Sequence, residues 1–527
     1  GASVQGGEGA GVPRSALGEG VTLSVEEALA LPAAGWRLHV HAFPFAAFNL
    51  SAAKEQEYWQ RVREEETPPG FDEGGMYQAV VRELPRLLEQ WQPPAHLPRT
   101  ADATWAAANV LHLLPLSPLH FCSVADEAWT ARVWTSQWMR AKGVVPVHQV
   151  ESIKAAYADG LASFTITCPA FESALRWLYS QPAWRAAPER HVFVHALPHL
   201  PRVALESDVQ ATGGARSVYA QMGKGILIAA EDRRYDWQAA LFCGRVVLSP
   251  LHSPSLFLLA PLAKDAASLG VALAGKDTLV AASHFVGVKC HRFDDALQPL
   301  LWQCADFAAQ NARVVRGACS SAMQALGKAL PPSPPSALAA VRELPTTRKD
   351  TANARKLAAT LAEKAHLYRR SVFCLIAPGD SVVTVRIASA AAALCIPVLL
   401  FPRAFLPFAQ SVAWANVSLH LDAEALVEYA NDPRGRRNPL LALHELATRE
   451  PKRLRAMQLA LADARWLLHY RSGGRPVQGA PEPPSAGDAL VQQLVRAAKQ
   501  RLRAARGGTD AGACGKATLG DITLYRR

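Results

Sequence analysis

Along the chain, the spacing of apolar positions switches repeatedly between two residues and a helical period. Trp36 to Phe43 alternates apolar and polar side chains and predicts a first strand. A helix-like stretch runs from about Tyr77 to Trp91 and breaks at Pro93-Pro94. Val110 to Leu116 is an apolar run of strand length, ending at Pro115 and Pro118. A helix around Ala170–Ser180 precedes a second short run, His191-Val192-Phe193-Val194. The alternation restarts after about residue 256. Thr278–Ser283 reads as a strand, Arg292–Ala309 as a helix and Arg313–Ala318 as a strand, and Pro331–Pro335 is a loop or insertion. A strong helix over Thr351–Arg370 leads into Val372–Ile376, a loop, a helix of small residues at 385–394 and a strand at Ile396–Phe401. After Tyr470 come a Gly/Pro/Ser linker, a basic amphipathic helix near Asp488–Arg506 and a polar tail. Strands separated by helices predict an α/β protein with parallel sheets. The expected units are a leader at 1–35, an N-terminal α/β domain at 36–255, a C-terminal α/β domain at 256–470 and a helical basic tail at 471–527.

Composition narrows this picture. Of 527 residues, 50% are hydrophobic and 19% charged, enough apolar side chain for large cores and too much for a mostly disordered chain. The net charge of +11 fits nucleic acid, an anionic membrane or phosphorylated small molecules equally well. Nine scattered cysteines contain no C-x-x-C pair and no zinc-like spacing, so no metal site is expected. No uncharged run supplies the roughly 20 apolar residues of a membrane span. The sequence begins Gly1-Ala2-Ser3, so any signal or anchor would precede it. Asn49-Leu50-Ser51 and Asn416-Val417-Ser418 are glycosylation sequons, which hint at a secretory compartment.

Ser371–Trp414 carries the most chemistry. It reads as a buried strand, a turn at Pro378-Gly379-Asp380, and a helix whose first turn bears Ser381, Thr384 and Arg386. A helix N-terminus offers unpaired N–H groups and a partial positive charge, which suit a diphosphate. Hydroxyls add hydrogen bonds and a guanidinium adds a bidentate contact. On pattern alone, an ordinary strand–turn–helix crossover fits the same residues. Gly270–Asp277 nearly matches a P-loop, but Asp277 replaces the magnesium-binding hydroxyl. The C-terminal helix carries Arg496, Lys499, Arg501, Arg503 and Arg506 opposite Leu490, Leu494 and Leu502. Docking on its own domain is its simplest reading; contact with an anionic membrane or RNA is the alternative.

The segment resembles the C-terminal signature of the exostosin family of glycosyltransferases, roughly S-x-F-C-L-x-P-x-G-D, then Ser/Thr-x-R, then G-C-I-P-V-I, then L-P-F and an aromatic residue. The matching residues are Ser371, Phe373, Cys374, Leu375, Pro378, Gly379, Asp380, Thr384, Arg386, Cys395, Ile396, Pro397, Val398, Leu406, Pro407, Phe408 and Trp414. Weaker likenesses are Leu38–Asn49, Thr100–Pro115, Pro182–Val194 and Leu279–Arg292. The resemblance implies two facing Rossmann-like domains in the GT-B arrangement. It also implies a UDP-sugar donor on the C-terminal half, inverting transfer to a glycan or glycoprotein acceptor, no metal or other cofactor, and a Golgi or secretory-lumen location. It places Arg386 and Asp380 in the catalytic role, and Gly379, Ser381, Thr384, Gly287 and Arg292 around the donor. The sequence departs from the family at Ser389, where Asp is usual, at Leu394, where Gly is usual, and in 401–405, which lacks the usual acids. These departures open a second reading, a catalytically degenerate exostosin-like scaffold or binding subunit within an assembly. The absence of D-x-D argues against the metal-held donor of the other large glycosyltransferase fold.

Overall fold

The computed structural model describes residues 25–41, 44, 51–53, 55–56, 60, 80–81, 83–85, 87–90, 109–114, 169–195, 218–229, 246–250, 266–285, 307–329, 340–346, 354–377, 385–400, 406–470 and 484–507. The expectations for residues 1–24, Pro331–Pro335, 401–405 and the polar tail lie outside them.

Two sheets organise the chain. The first, sheet A, holds β1 (Arg37–Val40), β2 (Glu89–Gln90), β3 (Val110–Leu113), β4 (His191–His195), β5 (Ile226–Ala229) and β6 (Val246–Leu248), in the order β2-β1-β3-β4-β5-β6. Sheet B holds β7 (Thr278–Phe285), β8 (Ala340–Thr346), β9 (Ser371–Ile376), β10 (Ile396–Leu399) and β11 (Leu419–His420), in the order β11-β10-β9-β7-β8. Every pairing is parallel. Parallel strands are covered on both faces, so they are apolar along their whole length. Every residue of β3, β5, β9 and β10 is accordingly buried.

The helices of the first half are α1 (Val25–Ala30), α2 (Pro169–Ser180), α3 (Pro182–Ala186) and α4 (Val218–Met222). Those of the second are α5 (Ala266–Ala274), α6 (Phe307–Ala329), α7 (Ala354–Arg370), α8 (Val385–Ala392), α9 (Trp414–Val417), α10 (Ala423–Asn431), α11 (Leu441–Arg449) and α12 (Pro451–Ala464), and α13 (Ala486–Gly507) closes the described chain. One local reading is corrected. The strand expected at Arg313–Ala318 is part of α6, because the buried residues Ala318, Cys319, Ala322, Met323 and Leu326 recur at helical spacing and outweigh the local Val-Val pair. Gly270 of the P-loop-like string sits inside α5, so no phosphate loop forms there.

The basic helix α13 starts with a capping box. The Ser485 hydroxyl accepts from the Asp488 amide at 3.3 Å, and the Asp488 carboxylate accepts from the Ser485 amide at 2.7 Å. Its apolar residues, among them Leu490, Leu494 and Leu502, are buried against α1, β5, β6 and the turn at Arg465–Leu468. Its Lys499 donates to the Leu31 carbonyl. The helix thus spends its apolar face within the fold. Further ties join the halves: the Phe408 amide donates to the Leu248 carbonyl at 3.3 Å, and Ser249 and Tyr470 share a hydroxyl–hydroxyl bond. One contiguous apolar cluster spans both sheets. Among the described residues, no helix is long and apolar enough to cross a membrane.

Candidate functional site

Both sheets are wound alike. The first strand pairs with the second on one side, and the third and later strands add on the other. The winding therefore reverses between β1 and β3 in sheet A and between β7 and β9 in sheet B. In open parallel sheets, the crevice beyond the carboxyl ends of strands at such a reversal is where ligands bind.

In sheet B, β7 pairs directly with β9, with Ala282 opposite Leu375. The described part of β7 ends at Phe285, two residues before Gly287 and seven before Arg292. The strand β9 ends at Ile376, three residues before Gly379. The carboxyl ends of β7 and β9, the strands that precede the two segments expected to hold a donor, thus lie on the same edge of the sheet at its reversal point. Gly287, Arg292, Gly379, Asp380, Ser381 and Thr384 themselves lie outside the described residues. Arg386 is described. It occupies the first turn of α8 and is 9% exposed. Ser389, one helical turn on, is 1% exposed. An acid at that position would share Arg386's face of the helix.

The opposite, amino-terminal edge of these strands is tied down. Lys276 sends its ammonium to three carbonyls, Ser371 at 2.7 Å, Arg369 at 3.1 Å and Ala393 at 3.2 Å. It therefore caps the carboxyl ends of both α7 and α8. Burial pushes its amine down to about 7. Asp277 accepts from the Arg370 Nε at 3.0 Å and pairs with the rest of that guanidinium. A disulfide joins Cys374 in β9 to Cys395 before β10. The end of α8 closes with the Leu394 amide on Ala391 and the Cys395 amide on Ala390, a Schellman pattern that places Leu394 at φ 55°. Farther on, the Trp414 indole donates to the Pro407 carbonyl at 2.8 Å beside the fully buried Phe408. Most described residues of the signature are therefore structural.

Sheet A carries a cluster that reading the strands one at a time misses. In the register of the parallel strands, His39 of β1 lies opposite His112 of β3, which lies opposite His191 of β4. Paired residues of parallel strands share a face, and so do positions two apart, which adds His41. The ligand nitrogens of His39, His41 and His112 lie within 4.8 Å of one another. His191 stacks on His112, with ring centres 4.7 Å apart, and on His41 at 5.2 Å. Its Nδ1 donates to the Ala187 carbonyl at 2.8 Å, the tautomer that leaves Nε2 with a lone pair. Burial, reinforced by the neighbouring imidazoles, holds His41 and His112 well below the usual histidine range. Burial also takes His191 down to about 3. Trp177 of α2 sits edge-on to His41, and Trp184 of α3 edge-on to His191. The available signal was the His-Val-His alternation of β1 together with single histidines in two other strand-like runs.

The fold and the reversal-point edge of sheet B define the class, a parallel α/β protein whose strands follow the doubly wound order 2-1-3-4-5 in each sheet, with β6 added in sheet A. Residues 339–432 match the Exostosin GT47 domain, which supports placing the chain in the exostosin family of glycosyltransferases. The matched span runs from the start of β8 through α10, under a fifth of the chain. A search of curated proteins finds no match.

Proposed function

We propose that the chain is an exostosin-like glycosyltransferase that moves a sugar from a UDP-sugar to a glycan or glycoprotein acceptor, with the two sheets serving as facing GT-B halves. The observation that supports this reading is that β7 and β9, the strands that run into the two expected donor segments, lie side by side at the reversal of sheet B in a chain whose residues 339–432 match the Exostosin GT47 domain. The acceptor hydroxyl attacks the anomeric carbon from the face opposite the diphosphate. The carbon–oxygen bond to the diphosphate breaks, UDP leaves with the electron pair, and the hydroxyl proton passes to a base. Gly379, Ser381 and Thr384 cradle the diphosphate with backbone amides and hydroxyls, with Gly287 on the facing segment. Asp380 orients the donor. Arg386, with Arg292, stabilises the charge that grows on the leaving group, with no metal in that role.

The disulfide at Cys374–Cys395 supports an oxidising, Golgi-type lumen. Asn416 of one sequon is exposed, whereas its Ser418 is buried with its hydroxyl on the Trp414 carbonyl. Thermal unfolding with millimolar UDP and UDP-sugars tests the reading. The wild-type protein is expected to gain about 2.7 kcal/mol at a hundredfold excess over Kd. Arg386→Ala is expected to lower kcat about 10²–10³-fold with a smaller change in KM, because its interaction strengthens in the transition state. No stabilisation by any of these ligands would favour the scaffold reading instead. That second reading has its own support in Ser389, where the usual acid beside Arg386 is missing.

A further inference from the structure

We propose that His39, His41 and His112 form a binding site for a divalent ion of the zinc class at the β1/β3 reversal of sheet A. The three nitrogens already converge to within 4.8 Å. A zinc ion with bonds of about 2.0–2.1 Å places tetrahedral ligand atoms roughly 3.3 Å apart, so small ring rotations close the site. Three imidazoles with no carboxylate among them suit zinc, cobalt, nickel or copper rather than magnesium or calcium. The place is also the one where this fold gathers ligands: His39 and His41 stand at the carboxyl end of β1, and His112 is one residue from the end of β3.

An apolar core alone does not call for four histidines on one face, since aliphatic side chains would fill the same volume without buried nitrogens. The Nε2 of fully buried His191 has no hydrogen-bond partner among the described residues, so the pocket wall holds an unsatisfied polar atom. His191 lies nearly parallel to His112, at 13°, and so acts as a wall rather than a ligand. Half-buried His39 gives an ion its way in. The neighbouring groove of about 670 Å³ does not, because Arg176, Arg185 and Lys224 line it and repel cations. Buried Arg190 is the adverse charge nearby, and Glu189 at 3.6 Å offsets it.

The test uses untagged full-length protein stripped with a chelator, then titrated with Co²⁺ and Zn²⁺. The expected result is one equivalent of tightly bound Co²⁺ with visible d–d absorption, displaced by Zn²⁺, and a higher melting temperature with either ion. His39→Ala, at a half-buried position, and His112→Phe, which keeps an aromatic ring in place, should each weaken binding at least about 100-fold, the upper range seen for losing an outer-shell partner. His444→Ala, on α11, should not. Absence of stoichiometric binding to the wild-type protein overturns the proposal. So does binding that both cluster variants retain.

Discussion

The two sheets share one winding yet are held together by different means. Sheet B ties its amino-terminal edge with an ammonium on three carbonyls, an Arg370–Asp277 pair and a disulfide. Sheet A relies on apolar burial, α13 and a stack of imidazoles at its own reversal point. A diphosphate gains charge as it leaves, so donors that cradle it work best on a base that does not move. The ties lie where they can stiffen sheet B without crowding its opposite edge. Removing the ties should therefore loosen sheet B and spare sheet A.

Lys276→Met is expected to have the largest effect. It keeps the aliphatic stem and strips the donor from three carbonyls, each worth about 1–3 kcal/mol when left unsatisfied. Relief from burying the amine offsets part of this, leaving a net loss of about 3–4 kcal/mol in denaturant unfolding. Hydrogen exchange should rise in β9, β10 and α8 and stay unchanged in β1 and β3. Equal loss of protection in both sheets would defeat the idea of a local base. The same residue sets a pH dependence. Its folded pKa of about 7 lies below the ordinary lysine value near 10.4, so the unfolded chain holds the extra proton between these values. Stability should therefore rise from pH 7 towards 10, by at most about 1.4 kcal/mol per pH unit, and be lost as pH falls through 7. Lys276→Met should remove that slope.

Next in size is the double variant Cys374→Ala with Cys395→Ala. The bridge spans a sequence separation of 21, and chain-entropy arguments give about 3 kcal/mol for closing such a loop. Unfolding of this variant should become insensitive to reductant, whereas the wild-type protein should lose a similar amount when reduced. A wild-type protein indifferent to reductant would show that the bridge does not form.

Three strands of sheet B are legible in the sequence because Thr278–Ser283, Val372–Ile376 and Ile396–Phe401 are apolar runs bounded by turn residues, whereas β8 and β11 carry no such run and are not. The role of Lys276 is not legible in its local Gly-Lys string because its three acceptors are brought to it only by α7, β9 and α8. The histidines were in view within three strand-like runs, but their shared face depends on a register that no single run encodes. Arg386 was legible as a helix-start residue. Its burial was not, since that depends on what covers α8.

The smallest expected effect sharpens the point about the end of α8. Leu394 occupies the left-handed region at φ 55°, a position the family usually gives to Gly. An L-residue there costs about 1–2 kcal/mol. Leu394 is also buried with Leu273 and Ala462, and burial of a leucine is worth about 1.5–3 kcal/mol. Leu394→Gly gives up the burial and recovers the strain, so a net loss of about 1 kcal/mol is expected. Leu394→Ala gives up most of the burial and keeps the strain, so it should be the less stable of the two. Near a helix the usual ranking puts alanine above glycine by about 1 kcal/mol, so a reversed order at this one position is diagnostic. Alanine proving more stable than glycine in equilibrium denaturation would mean that the turn after α8 does not hold Leu394 left-handed, and that sheet B is less firmly closed at this edge than its ties imply.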